Sequence, residues 1–137
     1  MNTFGFSKVE QAFFERSGRK KMTTRMPYVV ADNFPGLGLL TSLRFLEWVA
    51  GNPDGVISLP TGKTPEYFIK WTKYLLNNWD KPEARKIRED NGLFLKEKPS
   101  LRGLHFVQID EFYPIDPRQH NSFYDYVRNF YIEGFDL

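Results

Sequence analysis

The stretch Val56–Glu66 reads Val-Ile-Ser-Leu-Pro-Thr-Gly-Lys-Thr-Pro-Glu: an apolar run, then a short polar loop, then the start of a helix. Residues 56–59 are typical of a strand that is buried on both faces, as parallel strands are. We expect Thr64 to cap the helix that follows, with Pro65 at its first position and Glu66 at the positive end of its dipole. This order of elements predicts one strand–helix unit of a parallel sheet.

Comparable units lie on both sides of this stretch. Residues 28–30 form a candidate strand ahead of a helix that Asp32 or Asn33 could cap, and residues 105–109 form a further buried strand, followed by a helix that begins at Ser122. Strands alternating with helices, joined by connections longer than a hairpin, predict an α/β fold with a parallel sheet covered on both faces. Three strands are few for such a layer, so we expect the sheet to be incomplete in this chain.

Local patterns predict the helices and their buried faces. Ser7 and Glu10 form a capping box for a first helix that ends near Gly18, and residues 82–90 form a solvent-facing helix that ends at 91–92 and carries no chemistry. Helical spacing assigns buried faces to three longer helices. Their predicted buried residues are Leu39, Leu40, Leu43, Leu46 and Ala50; Tyr67, Trp71, Tyr74 and Leu75; and Phe123, Tyr126, Val127, Phe130 and Tyr131.

Composition narrows the class of protein. The 137 residues are 41% hydrophobic and 17% aromatic, which is enough for one core and argues against disorder. A formal net charge of +2 is too small to predict a nucleic-acid partner. No apolar run approaches the roughly 20 residues of a membrane span, and residues 1–6 show no signal-peptide pattern. We therefore expect a cytoplasmic protein with neither a membrane nor a nucleic-acid partner.

Metal and thiol chemistry are not predicted. The chain has no cysteine, which excludes disulfides, thiolate metal sites and a cysteine nucleophile. His105 is expected in a strand and His120 on a loop surface, and neither has the spaced partners of a metal site. We expect no cofactor.

The chain divides at a basic segment. Residues 1–26 are expected to form an N-terminal helix and a basic linker, and residues 27–137 the α/β portion. The basic linker is read either as solvated chain or as an anion-binding or partner surface. Its charged residues are Arg16, Arg19, Lys20, Lys21 and Arg25.

The candidate chemistry lies where two strands end, because ligands of open α/β sheets bind beyond the carboxyl ends of the strands. The loop after the first strand supplies Gly62, the hydroxyls of Thr61 and Thr64, the ammonium of Lys63 and a helix N-terminus, which together suit a phosphate. Asp110 follows the later strand with a carboxylate. An anion site facing a carboxylate suggests proton transfer on a phosphorylated substrate.

Structural alternatives remain for both segments. The loop can also be read as a turn without a ligand, and Asp110 and Glu111 as a turn or capping pair. A nucleotide-binding P-loop would need a glycine five positions before Gly62, where Ile57 stands.

Three stretches resemble the glucosamine-6-phosphate deaminase family, within the superfamily that includes 6-phosphogluconolactonase. Residues 59–65 resemble the family's phosphate loop, which typically reads Leu-Pro-Thr-Gly, then Gly or Ser, then Thr-Pro. Residues 106–113 resemble its strand ending in Asp-Glu-Tyr, and residues 120–123 resemble its His-Pro-x-Ser-Tyr region. The resemblance spans residues 28–137 and corresponds to the N-terminal half of the family only.

The resemblance implies a three-layer, Rossmann-like fold and a phosphorylated amino sugar as partner. It implies isomerisation and deamination of the sugar to fructose 6-phosphate and ammonia. Asp110 matches the base that moves a proton between C2 and C1, and residues 61–64 match the loop that holds the phosphate. Glu111 matches a neighbouring acid that orients the loop or the substrate.

The sequence departs from the family pattern in three places. Lys63 replaces a small residue and either adds charge to the phosphate site or crowds it, and Gln119 stands where the family has its histidine. The family's Gly-x-Gly-x-Asp-Gly-His stretch, with its ring-opening histidine, lies beyond the point that matches Leu137. We therefore expect a fragment that lacks part of the active site and needs the C-terminal part of the domain or a homo-oligomer. Alone it is expected to be inactive and to bind sugar phosphate weakly at most.

Two rival functions use the same fold. A 6-phosphogluconolactonase typically has Ser-Gly-Gly in the first loop and Asn after the second-motif serine, whereas Thr61 and Phe123 favour the deaminase. A non-catalytic sugar-phosphate-binding domain is the other alternative, and the unusual Lys63 is compatible with it.

Overall fold

The computed structural model describes residues 5–21 and 24–137. Residues 1–4, which belong to the stretch inspected for a signal peptide, and residues 22–23 of the basic linker lie outside the described residues. The described part combines helices with a small sheet. Its elements are α1 (Lys8–Ser17), α2 (Phe34–Gly51), β1 (Val56–Ile57), α3 (Glu66–Asn77), α4 (Pro82–Asp90), β2 (His105–Phe106), α5 (Phe123–Val127), a π-helical turn (Arg128–Ile132) and α6 (Glu133–Phe135).

The sheet consists of β1 and β2, which pair in parallel with Ile57 opposite Phe106. The N–H of His105 donates to the carbonyl of Gly55, and the N–H of Val107 donates to the carbonyl of Ile57, both at 2.9 Å. The predicted parallel pairing of these two segments is therefore confirmed.

Both strands are shorter than predicted. Of residues 56–59 and 105–109, only the first two residues of each segment are strand. The third predicted strand, 28–30, does not form: it joins neither β1 nor β2, and Val30 is half exposed. A strand needs a backbone partner, which the apolar pattern of one segment cannot supply. The described residues thus show a two-stranded parallel sheet and not the three strands predicted.

The two faces of the sheet differ in burial. Ile57 and Phe106 pack against the hydrophobic core, whereas Val56, Val107 and Ile109 are 66%, 53% and 67% exposed. Successive strand side chains point to opposite faces. The prediction that these strands are buried on both faces is wrong, because the helices of the described part cover only one face.

The core lies between α2 and α3. Two buried hydroxyls in it are hydrogen-bonded: Thr72 Oγ1 donates to Ser42 Oγ at 3.0 Å, and Ser42 Oγ donates to the carbonyl of Phe68 at 2.9 Å. The buried apolar residues are Val9, Leu43, Phe45, Leu46, Val49, Phe68, Ile69, Leu75, Leu76, Trp79, Ala84, Leu93, Leu101, Val127, Tyr131 and Phe135.

The buried faces of the long helices differ in part from the predicted ones. α3 buries Phe68, Ile69, Thr72, Leu75 and Leu76. Of its predicted face only Leu75 is fully buried, since Thr72 packs inward with a hydrogen-bonded hydroxyl while the larger amphipathic rings stay nearer solvent. The predicted residues that are exposed or only partly buried are Leu39, Leu40, Ala50, Tyr67, Trp71, Tyr74, Phe123, Tyr126 and Phe130.

The predicted caps of the first two helices are confirmed. Ser7 Oγ accepts from the N–H of Glu10, and the Glu10 carboxylate accepts from the N–H of Ser7. The helix ends at Gly18, whose φ of 64° suits a residue without a side chain. Asn33 caps α2 by accepting from the N–H of Gly36 at 2.8 Å.

The N-terminal segment packs on the rest of the molecule. Val9 of α1 is buried in the core, and the N–H of Lys8 donates to Glu47 of α2 at 3.1 Å. The described residues of the basic linker are exposed. The division at residues 26 and 27 stays a prediction.

The charged segment after α3 has one buried cation. α4 forms as predicted, but its Arg88 is only 2% exposed. The guanidinium carbon lies 3.6 Å from the centroid of the Trp79 ring, and Nη1 donates to the carbonyl of Trp79 at 2.7 Å. Stacking on an indole offsets part of the cost of burying the charge.

No helix in the described ranges has the length and apolar character that crossing a lipid bilayer requires.

We predict that Gly38→Ala destabilises the fold by about 1–3 kcal/mol. A methyl carbon on Gly38 would lie 2.5 Å from Tyr67 Cβ and 2.9 Å from the backbone nitrogen of Phe68, so α2 and α3 would have to separate. Urea unfolding measures the change. Gly51→Ala at the exposed end of α2 meets nothing within 4 Å and serves as control. Equal stability of the two variants would contradict the close helix contact.

Candidate functional site

Two loops leave the same edge of the sheet, because β1 and β2 run parallel. Immediately after the strands, Ser58 Oγ donates to the carbonyl of Val107 at 2.6 Å. This bond joins the starts of the two segments that carry the predicted site residues, 61–64 and 110–111. The structure therefore places both segments at one end of the molecule.

The first loop is held by two tyrosine hydroxyls from the C-terminal helical segment. Tyr131 donates to the carbonyl of Pro60 at 2.5 Å, and Tyr126 donates to the carbonyl of Gly62 at 2.8 Å. Gly62 has a φ of 90°, which a residue with a side chain adopts only with strain. The loop backbone is thus fixed from one side by side chains that lie far away in sequence.

Burial keeps both hydroxyls protonated. Tyr131 is fully buried, and burial raises its pKa well above the ordinary value. Burial also raises the pKa of Tyr126, and the negative charge of Glu66 adds to that increase. Both tyrosines therefore remain hydrogen-bond donors at neutral pH.

The helix start beside the loop differs from the prediction. Thr64 does not cap α3: the capping residue is Pro65, which makes no side-chain hydrogen bond. The prediction is wrong because α3 begins one residue later, so the threonine hydroxyl precedes the cap. The first turn of α3 consequently receives no side-chain acceptor from its capping residue.

Charges of both signs flank this helix start. The side chain of Lys63 is exposed. Glu66, in the first turn of α3, accepts from Lys70 Nζ at 2.5 Å, and this bond lowers the pKa of Glu66 and raises that of Lys70. Lys70 therefore partly neutralises the carboxylate nearest the loop.

The two neighbouring acids of the second loop have different surroundings. The side chain of Asp110 is exposed, and its backbone carbonyl accepts from Gln108 Nε2 at 2.8 Å. A carboxylate exposed to solvent at this edge is accessible to a small substrate. Asp110 therefore lies at the same end of the sheet as the first loop.

Glu111 is engaged by the protein itself. Its carboxylate accepts from the hydroxyl of Ser122 at 2.6 Å, from the N–H groups of Phe123 and Tyr124 at 3.0 and 2.9 Å, and from the N–H of Phe112 at 3.0 Å. These bonds, led by that from Ser122, lower the pKa of Glu111 to about 2. Glu111 thus fastens its loop to the start of α5, which fits the capping alternative and the loop-orienting role.

An apolar cavity of about 250 Å³ lies beside the first loop. Leu37 and Phe45 of α2 and Phe68 of α3 line it together with Pro60 and Thr64. The sequence reasoning missed this cavity and the tyrosine contacts. The sequence gives one local indication of the tyrosine contacts: positions 126 and 131 are tyrosine, which has a hydroxyl, and not phenylalanine.

Metal binding finds no support in the described ranges 5–21 and 24–137, where no group of three or more His, Asp or Glu side chains is arranged to hold an ion. His105, in β2, and His120, in the second loop, are both exposed.

We predict that part of the acid sensitivity of the fold comes from Glu111. Because its pKa falls from 4.5 to about 2 on folding, its contribution to stability is present above about pH 4.5 and is lost as the pH falls towards 2. Glu111→Gln should therefore unfold at a temperature that depends less on pH across this window. Thermal unfolding at a series of pH values tests this, with Glu15→Gln, at an exposed position of α1, as control. A pH dependence in Glu111→Gln as steep as in the unchanged protein would contradict it.

Comparison with known proteins adds no assignment to this site. No family model, curated protein or solved structure matches the chain.

Proposed function

We propose that this chain binds a phosphorylated amino sugar and resembles glucosamine-6-phosphate deaminase in its chemistry. The observation that carries the proposal is that the loop 60–64 and Asp110 leave one edge of a parallel sheet, tied by the bond from Ser58 to Val107. Ligands of α/β sheets bind at this edge. The proposed reaction converts the amino aldose phosphate to fructose 6-phosphate and ammonia.

The first loop is proposed to hold the phosphate. The start of α3 has no side-chain cap bond, and backbone N–H groups at a helix start attract anions. The hydroxyls of Thr61 and Thr64 and the ammonium of Lys63 are the further donors of this loop. A dianion bound here would orient the sugar without taking part in the reaction.

Asp110 is proposed as the base. It would take the proton from C2 of the open-chain amino aldose and return it to C1, and water would then release ammonia from the resulting imine. The division of labour between the acids supports this choice, since Glu111 is occupied by hydrogen bonds from its own chain while the Asp110 side chain is exposed. Proton transfer needs one carboxylate that can gain and lose a proton.

We also propose that the parallel pair belongs to a three-layer, Rossmann-like architecture. The exposed apolar side chains of Val56, Val107 and Ile109 on one face of the sheet support this, because parallel sheets are usually covered on both faces.

We predict that the chain binds the sugar through its phosphate group. Titration of ¹⁵N-labelled protein with glucosamine 6-phosphate should shift the amide signals of residues 61–64 saturably, and glucosamine should not. Thr64→Val should weaken the response several-fold by removing one hydroxyl donor. Thr41→Val is the matched control, since the Thr41 hydroxyl is committed to the carbonyl of Leu37 at 2.8 Å. Equal responses to both sugars would argue against a phosphate site.

We predict that Asp110 transfers a proton at C1 of the sugar. The proton exchange at C1 is a partial reaction that does not use the ring-opening histidine. With fructose 6-phosphate and ammonium in D₂O, the protein should therefore exchange a C1 proton for deuterium, which NMR detects. Asp110→Asn should lose the exchange but keep phosphate binding, because the amide cannot act as a base. Asp116→Asn, which alters the ion pair with Arg118 in the same loop, is the control.

The outcomes separate the candidate roles. Exchange retained in Asp110→Asn would remove this residue from the proposed role. Sugar-phosphate binding without exchange in the unchanged protein would favour a non-catalytic binding domain, and hydrolysis of 6-phosphogluconolactone would favour the lactonase.

A further inference from the structure

Two tyrosines outside the proposed site donate hydrogen bonds to the backbone of its phosphate loop. The hydroxyls of Tyr126 and Tyr131 reach carbonyls 64 and 71 residues earlier in the chain, those of Gly62 and Pro60. These two carbonyls are two residues apart on one short loop. Both tyrosines therefore act on the same few peptide groups.

The π-helical turn brings the two rings to the same side. In a regular α-helix each residue turns by roughly 100°, so positions five apart face in clearly different directions. Here the turn Arg128–Ile132 carries i→i+5 bonding, with the N–H of Glu133 donating to the carbonyl of Arg128. The rings of Tyr126 and Tyr131 lie 6.0 Å apart at 67°. Single π-helical turns are often found at functional sites.

Fixing a carbonyl also fixes the neighbouring N–H. A trans peptide group is planar, and its C=O and N–H point in opposite directions. The carbonyls of Pro60 and Gly62 share peptide groups with the N–H groups of Thr61 and Lys63. The two hydroxyl bonds thus direct these N–H groups away from the tyrosines.

We infer that Tyr126 and Tyr131 are positioning residues that hold the N–H groups of Thr61 and Lys63 in the orientation that binds phosphate. The inference rests on the proposed phosphate site. The two tyrosines themselves lie outside the three stretches that resemble the family. A preoriented loop loses less conformational freedom on binding than a mobile one. Neither tyrosine needs to touch the sugar.

The test variant is Tyr126→Phe, which removes one hydroxyl and leaves the ring. Glucosamine 6-phosphate and inorganic phosphate are the probes. Both should bind about fivefold more weakly, the loss expected for one neutral hydrogen bond. The amide signals of Thr61 and Lys63 should shift in the free variant while the unfolding temperature changes little.

Tyr124→Phe is the matched control, because Tyr124 lies on the same helix with a half-exposed ring. Tyr131→Phe provides a second measurement, and its effect on the Thr61 amide signal should be larger than that of Tyr126→Phe, since Tyr131 binds the carbonyl of Pro60.

Each outcome decides a separate point. Probe binding by the unchanged protein with equal affinity in Tyr126→Phe overturns the positioning role alone. Unshifted Thr61 and Lys63 amides in both variants overturn it as well, since a general loss of stability would move signals throughout the protein. No probe binding by the unchanged protein overturns the proposed phosphate site and the inference together.

Discussion

The parallel hydrogen bonding between β1 and β2 is the constraint on which the candidate site depends. The bonds from His105 to Gly55 and from Val107 to Ile57 set the direction of both strands. Because the strands run the same way, the segments that follow them emerge together, and the bond from Ser58 extends the contact beyond the strands. An antiparallel arrangement of the same residues would send the two loops to opposite ends. The pairing of four strand residues therefore determines whether loop 60–64 and Asp110 lie at the same end of the sheet.

The second loop shows how two adjacent acids acquire different roles from their surroundings. Glu111 accepts hydrogen bonds at the start of α5, which lowers its pKa to about 2 and keeps it charged as a structural acceptor. The exposed side chain of Asp110 accepts no comparable hydrogen bonds from the start of α5. α5 then leads into the π-helical turn, whose tyrosines reach the first loop. One helical segment thus organises both loops, by its N-terminus on one side and its aromatic hydroxyls on the other.

Helix starts that are fixed by local side-chain hydrogen bonds were predictable from the sequence. Features that are fixed by long-range contacts were not. The capping box at Ser7 and the cap at Ser122 depend on residues within three positions of each other, so their patterns were sufficient. The buried face of α3 was misassigned because Thr72 is buried through a bond to Ser42 on another helix. Residues 28–30 have strand composition, but no neighbouring strand pairs with them. Of the site, the positions of both loops followed from strand order, whereas their attachment by Tyr126 and Tyr131 joins distant segments and leaves no local pattern.

The π-helical turn also limits how the C-terminal segment can change in length. This turn is wound more loosely than an α-helix, and its winding sets the angle about the helix axis between the side chains of Tyr126 and Tyr131. Deleting one residue between them would leave the tyrosines four positions apart, and only a regular α-helix without the π-helical turn would then keep both rings on one face. Insertions are subject to the same restriction, whereas the exposed residues 96–98 between α4 and β2 are under no such angular requirement. Homologous chains that keep both hydroxyls should therefore carry the tyrosines either five positions apart with a π-helical turn or four positions apart in a regular α-helix, even where the surrounding sequence has diverged.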